Sequence, residues 1–266
     1  MGRVEGVRGA LMRAIAGALN APRINAVAEV ERGGVAGFEK RRRLWAGPLF
    51  APGNLFLRLS RSRIYMFADV EAWRRWELHC FALLHGHEAA GVRVGRRGLW
   101  LPRLPGTPLR DLARRDEITA TAMVAAANAL RQAHARRCEI IGGPWSHGDP
   151  HLGNVLFDPA SGRASLIDFE TRHDPGLSAE ERHADDLLIL LLELIGRAPG
   201  GWEPLASALL RGYGQPAVLA RLRARLSEPR APLEALLWFA RAHLDSPARL
   251  DEAVAALLAL TRALEG

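Results

Sequence analysis

Two short apolar runs, separated by a turn and flanked by acids, constrain this chain more than any other feature. They are His147-Gly148-Asp149-Pro150-His151-Leu152-Gly153-Asn154-Val155-Leu156-Phe157-Asp158 and, a few residues on, Leu166-Ile167-Asp168-Phe169-Glu170. Each run is too short for a helix, and Asp158-Pro159-Ala160-Ser161-Gly162 between them is turn chemistry, so residues 155–157 and 165–167 are expected to pair as a hairpin. Closing that hairpin brings Asp149, Asn154 and Asp168 to one end. Asp149 could there accept a proton, while Asn154 and Asp168 offer hard oxygen donors suited to Mg²⁺. A carboxylate beside such a pair is the minimal apparatus for phosphoryl transfer from a nucleotide.

The rest of the chain supplies a frame for that stretch. Strands are expected at 26–30 and 35–38, joined by Glu31-Arg32-Gly33-Gly34, with Lys40 closing the second. A basic, Trp- and Leu-rich tract over 41–67 contains helix, broken by Pro48 and by Pro52-Gly53. A helix over 69–86 starts at Asp69 as its N-cap, and 92–101 reads as a hairpin turning at Gly95-Arg96-Arg97-Gly98. The Pro- and Gly-rich segment 102–108 is the expected hinge. Beyond it the chain turns helical: 109–114, 119–137, a buried helix at 184–195, then 202–213, 216–226, 232–244 and 250–264. The expected units are an amphipathic helix at 1–20, a partly β unit at 21–101 with a helical insertion, the hinge, and a mostly helical unit at 109–266. Val4, Val7, Leu11, Ile15 and Leu19 recur at helical spacing in the first of these, a pattern that suits packing on the chain's own domain or lying on a membrane surface.

Composition narrows the setting. The net charge is +7, carried almost wholly by arginine, and Lys40 is the only lysine. Arginine replaces lysine poorly where a point charge on a flexible stem must meet phosphate, so the one retained lysine marks a site. Cys80 and Cys138 have neither disulfide-framework nor metal spacing and fit a reducing compartment. No run has the length of a membrane span, and the N-terminus lacks a secretory signal's apolar core. The expected location is the cytoplasm, with peripheral contact at the inner face of the membrane.

Embedded as His-Gly-Asp-x4-Asn-Val-Leu and followed by Leu-Ile-Asp-Phe, the two runs resemble the protein-kinase-like superfamily. The likeness is to its atypical prokaryotic branches: aminoglycoside and choline phosphotransferases, lipopolysaccharide-core sugar kinases and Bud32-like kinases. The motifs cover 147–186, and order and spacing extend the likeness from about residue 26 to the end. The resemblance implies an α+β, two-lobed fold with a small antiparallel-sheet lobe and a mostly helical lobe, using ATP and Mg²⁺. It implies that Asp149 is the base that orients an acceptor hydroxyl, that Asn154 and Asp168 hold the metal, and that Lys40 neutralises the nucleotide phosphates. An acid on helix 69–86 would hold Lys40; Glu77 is favoured, with Glu71 the alternative. Leu101, Pro102, Arg103 and Leu104 would meet adenine through their backbone, Asp185 or Asp186 would brace the catalytic loop, and His147 would pack beneath it.

The chain departs from the family pattern in three places. The link from Lys40 to Glu77 is long, so a helical insertion is expected. No Gly-x-Gly-x-x-Gly precedes Lys40, leaving Gly33-Gly34 and Gly37 as candidates to cover the phosphates. Glu170 replaces the glycine after Asp-Phe, which argues against an activation-loop switch and suggests a solvated acid. The favoured acceptor is a sugar hydroxyl of an envelope glycolipid, and an aminoglycoside or amino alcohol is the alternative. A metal-dependent hydrolase built on His147, Asp149, His151, Asp168, His173 and His183, and a non-catalytic nucleotide-binding module, are competing readings. No nucleic-acid partner is expected, since aromatics at helical spacing are core and basic runs are solvated faces.

Overall fold

The computed structural model describes residues 24–86, 90–198 and 201–264; the expected N-terminal helix at 1–20 lies outside them. The fold is α+β. β1 (Asn25–Arg32) and β2 (Val35–Arg42) form a hairpin that turns on Gly33 and Gly34, both at positive φ. A single 3-10 turn, Leu44–Ala46, leads into α1 (Gly47–Leu59). β3 (Ile64–Met66) follows, then α2 (Val70–His85), β4 (Val92–Val94) and β5 (Gly98–Pro102). β1, β2, β5 and β4 lie in that order in one antiparallel sheet.

After β6 (Thr107–Pro108) come α3 (Leu109–Arg114), α4 (Ala120–His134), β7 (Arg137–Cys138) and β8 (Gly143–Pro144). β9 (Val155–Asp158) and β10 (Arg163–Leu166) form the expected hairpin, with Leu156 opposite Ser165 and Val155 opposite Leu166. β6 adds to its open edge, and β11 (Thr171–His173) pairs with β3. The remainder is helical: α5 (Ala179–Arg197), α6 (Trp202–Tyr213), α7 (Pro216–Ser227), α8 (Pro232–Arg241) and α9 (Pro247–Ala263). One continuous apolar core runs from α2 and β5 through α4 and α5 to α9.

Local chemistry explains these elements. The Asp69 carboxylate caps α2 by accepting from the Ala72 amide at 2.6 Å. Trp73, Trp76, Glu77, Cys80 and Phe81 make its buried stripe at helical spacing. α5 begins at Ala179, five residues before the expected start, because Ser178 and Glu181 form a reciprocal capping box upstream of the apolar run.

Other expectations need correcting. α1 runs through Pro52 instead of breaking there: proline removes a single helix bond, to the Pro48 carbonyl, and Asn54 compensates by pairing with both backbone groups of Met66. Lys40 lies inside β2, opposite Val27, and does not end the strand. α4 stops at His134 because Arg137 and Cys138 pair with Pro144 and Gly143, and α8 stops at Arg241. Within the expected hinge, 102–108, Pro102 ends β5 and Thr107–Pro108 pairs with β9.

α1 is tied to the sheet side by stacking. The buried Arg42 guanidinium lies 4.7 Å from the Phe50 ring and 4.4 Å from the Trp73 ring, and it donates to the Phe67 carbonyl at 2.9 Å. Through β3 and β11 the same insertion is joined to the strand that begins directly after Glu170.

Candidate active site

Lys40 reaches from β2 toward α2 and toward the turn after β10. Its Nζ is 2.6 Å from Glu77 Oε1, donates to Asp168 Oδ1, and stands 4.0 Å from Glu170 Oε1. Burial alone would depress the ammonium, but Asp168, Glu77 and Glu170 together outweigh it and hold Lys40 well above its ordinary value. The choice between Glu77 and Glu71 is thereby settled. Glu77 is fully buried in the apolar stripe of α2, whereas Glu71 faces outward and pairs with Arg74 and Arg93, each at 2.5 Å.

Asp168 sits at φ 68, a left-handed conformation that aspartate tolerates better than bulkier residues. Phe169 fixes it from behind, fully buried with its ring centroid 5.1 Å from His147 and 5.7 Å from Trp145. His147 joins the two halves of the stretch. Its Nδ1 accepts from the Asp149 amide at 3.3 Å and its Nε2 donates to the Ile167 carbonyl at 3.1 Å. Burial depresses its basicity, and both ring nitrogens are engaged in tying the two turns together.

Asp186 braces the loop. One oxygen accepts from the His147 amide at 2.8 Å and from His134 Nε2 at 2.9 Å, and the other accepts from the Gly148 amide at 2.8 Å. Burial opposes its ionisation, but the surrounding imidazoles and donors hold it far below the usual carboxylate range. Asp185 faces elsewhere and accepts from His173 Nε2 at 3.2 Å, so of the two candidates Asp186 is the brace.

Asp149 carries a feature that the sequence did not suggest. Arg241, the last residue of α8, donates to its Oδ1 at 2.7 Å. Burial raises the proton affinity of Asp149, and Arg241 together with His151 and His147 more than offsets this, so the carboxylate is held below its usual range. Nothing in an Arg-rich chain singles out an arginine 92 residues from its partner. Glu193 was also missed, and it holds the Leu152 amide from the middle of α5. A lone acid between the apolar stretches Leu187–Leu192 and Leu194-Ile195 was a legible signal, because a buried charge requires a partner.

Glu170 is not the solvated acid expected. Its side chain is 22% exposed and accepts from Asn25 Nδ2, and burial followed by the Asp168 charge pushes its pKa up to about 8. Both glycine candidates have local structural roles. Gly33 and Gly34 turn at the far end of the hairpin, at least about 20 Å along the strand from Lys40 by strand rise. At Gly37 a Cβ would fall 2.4 Å from the Leu101 carbonyl and 2.5 Å from the Trp100 ring, so this glycine admits Trp100. In the expected adenine segment the Arg103 amide already donates to the Ala36 carbonyl at 2.9 Å. An apolar surface is open nearby instead: Val27, directly across from Lys40, is 58% exposed.

Asp149, Asn154, Asp168, Glu170 and Arg241 form the polar floor of one cavity of about 640 Å³. Leu49, Phe50, Phe56 and Leu57 of α1, Ile64 and Met66 of β3, and Leu237 of α8 form its apolar walls. The donor set fits a hard cation. Asn154 Nδ2 donates to the Asp149 carbonyl at 3.0 Å, and Asn154 and Asp168 both line the cavity with oxygen-bearing side chains. Among the described residues no cluster of three or more His, Cys, Asp or Glu suits a metal. Two histidines of the hydrolase reading are committed elsewhere, His173 to Ser146 and Asp185 and His183 to the Trp145 carbonyl.

The chain matches none of the protein-family models it was compared with, and a search of curated proteins returns no significant match. Among the described residues no helix is long and apolar enough to cross a membrane.

Proposed function

We propose that the chain is an ATP- and Mg²⁺-dependent phosphotransferase of the protein-kinase-like, two-lobed type, moving the γ-phosphoryl group to a hydroxyl. One observation carries the reading. The only lysine is held by an acid on a neighbouring helix and by the aspartate after β10, and that aspartate lines the cavity onto which Asp149 and Asn154 also open.

Asp149 orients the acceptor hydroxyl with Oδ2 while Arg241 holds Oδ1, so the group acts through position and charge more than through basicity. Lys40, steadied by Glu77, supplies positive charge to the nucleotide phosphates. Asn154 and Asp168 would hold Mg²⁺, which offsets charge on the transferring phosphoryl group. Val27 and the inner face of the sheet offer an apolar roof for the base. The apolar walls above a charged floor favour an amphiphilic acceptor, such as a sugar hydroxyl of an envelope glycolipid, over a polycationic aminoglycoside.

The test is nucleotide dependence. Mg²⁺-ATP should raise the melting temperature of the full chain, Asp168→Ala should abolish that rise, and labelled phosphate should pass from γ-labelled ATP to a glycolipid or small alcohol. Absence of any Mg²⁺-ATP shift in the unaltered chain would sink the reading. The Arg241–Asp149 ion pair favours a second reading, a nucleotide-binding module without transfer. That reading predicts the thermal shift with no labelled product from any acceptor.

A further inference from the structure

We propose that the outer face of α1, with the 3-10 turn before it, is a docking surface for an anionic lipid bilayer. The proposal stands on surface chemistry alone and does not depend on phosphoryl transfer.

Surface helices normally turn polar residues to water. α1 does the reverse. At 100° per residue the exposed positions Pro48, Ala51, Leu55 and Leu59 fall on one side with Arg58 the only charged residue on it, and Pro52 lies at the edge where the strip meets the cavity. Leu55 and Leu59 are each 56% exposed, and Leu44 and Trp45 just before the helix are 82% and 49% exposed. The opposite side is occupied, since Phe50 is buried on Arg42 and Leu57 walls the cavity. The outward apolar strip is therefore not a core face left incomplete.

Charge identifies the occupant. Between residues 41 and 68 the sequence has six arginines and no acid. Arg43, Arg58 and Arg61 are exposed around the strip, and the Arg43 guanidinium lies 5.9 Å from the Trp45 ring. Exposed tryptophan and leucine ringed by arginine is the composition that lies in a headgroup region, apolar groups inward and cations at the phosphates. The same charge argues against two rivals. A second copy of the chain would set arginine against arginine across a two-fold axis. Residues 1–23, which join the structure where the Ile24 carbonyl accepts from the Arg43 amide, carry four arginines and a single acid, Glu5, and so bring no counter-charge. An anionic leaflet supplies it.

The experiment is co-sedimentation of the full chain with vesicles of phosphatidylglycerol and phosphatidylcholine, and with phosphatidylcholine alone. Expected are binding to the anionic vesicles, weakening as salt rises, and little binding to the neutral ones. The triple variant Trp45→Ser, Leu55→Ser, Leu59→Ser should reduce partitioning at least tenfold. All three side chains are largely exposed, so the melting temperature should hold. Should it fall, Arg43→Gln, Arg58→Gln, Arg61→Gln keeps the apolar strip and should reduce binding as strongly. Equal binding to neutral vesicles would overturn the proposal. So would undiminished binding in both variants, which would assign the contact to another segment such as residues 1–23. A concentration-dependent dimer that the triple variant abolishes, with no vesicle binding, would give the strip to a second copy.

Discussion

The floor and the α1 wall of the cavity are built by opposite means. Under the floor, Asp186 alone receives three donors, His147 bridges two turns, and Phe169 is locked between aromatic rings. The wall is one helix that interrupts the sheet side, anchored by the stacked Phe50 and the pairing of Asn54 with Met66, and otherwise apolar on both sides. Buried polar networks permit a single arrangement, because any broken member leaves an unsatisfied group. An apolar helix with few directional contacts permits many sequences. The floor therefore specifies chemistry, and the wall specifies what may approach it.

Substitution can break or sharpen that contrast. Asp149→Asn should give the largest effect, lowering turnover by about 10²–10⁴-fold while the Mg²⁺-ATP thermal shift stays; full activity in that variant would remove Asp149 from the chemistry. Asp186→Ala should come next, because it strands the His147 and Gly148 amides and His134. Loss of about 3–5 kcal/mol is expected, read by chemical denaturation, and a loss under about 1 kcal/mol would mean that the floor is not held as described.

Two further predictions concern protons. Glu170 titrates near 8 when folded against an ordinary value of 4.5, so between those values the folded chain keeps a proton the unfolded chain has released. Stability therefore falls as pH rises through that window and levels off above it. Glu170→Gln removes the titration, so its gain in melting temperature over the unaltered chain should grow from pH 4.5 to pH 8; a constant difference would contradict the assignment. Arg241→Ala removes the group that most lowers Asp149, and the acid limb of the kcat/KM profile should move to higher pH. The smallest effect belongs to the wall: Leu55→Ser alone should change stability by no more than about 0.5 kcal/mol, in contrast to Asp186→Ala.

What was legible in the sequence follows the same division. The hairpin, Asp149, Asn154, Asp168 and Lys40 could be read because turn chemistry, a short apolar strand and a single lysine are local signals. The Asp69 cap and the stripe of α2 were readable from spacing, whereas Glu77 was favoured only by the likeness of its neighbours to the family helix. Distinguishing Asp185 from Asp186 required packing, since neighbours on a helix differ by a 100° turn that periodicity alone does not anchor. Arg241 could not be found, because its meaning comes from where α8 ends in space. The course of α1 through Pro52 was hidden by a sound local rule, which the pairing of Asn54 with β3 overrides.

Lys40 being the only lysine has a chemical consequence. Apart from the terminal amine, every primary amine of the protein is at the proposed phosphate site, shielded by Glu77 and Asp168. Ordinary amine reagents should act on it slowly, whereas an acyl-phosphate nucleotide seated in the site would leave its acyl group on one peptide alone. Reductive methylation with a carbon-13 label would likewise place a single side-chain resonance directly against Asp168 at the cavity's edge, a reporter that needs no mutation.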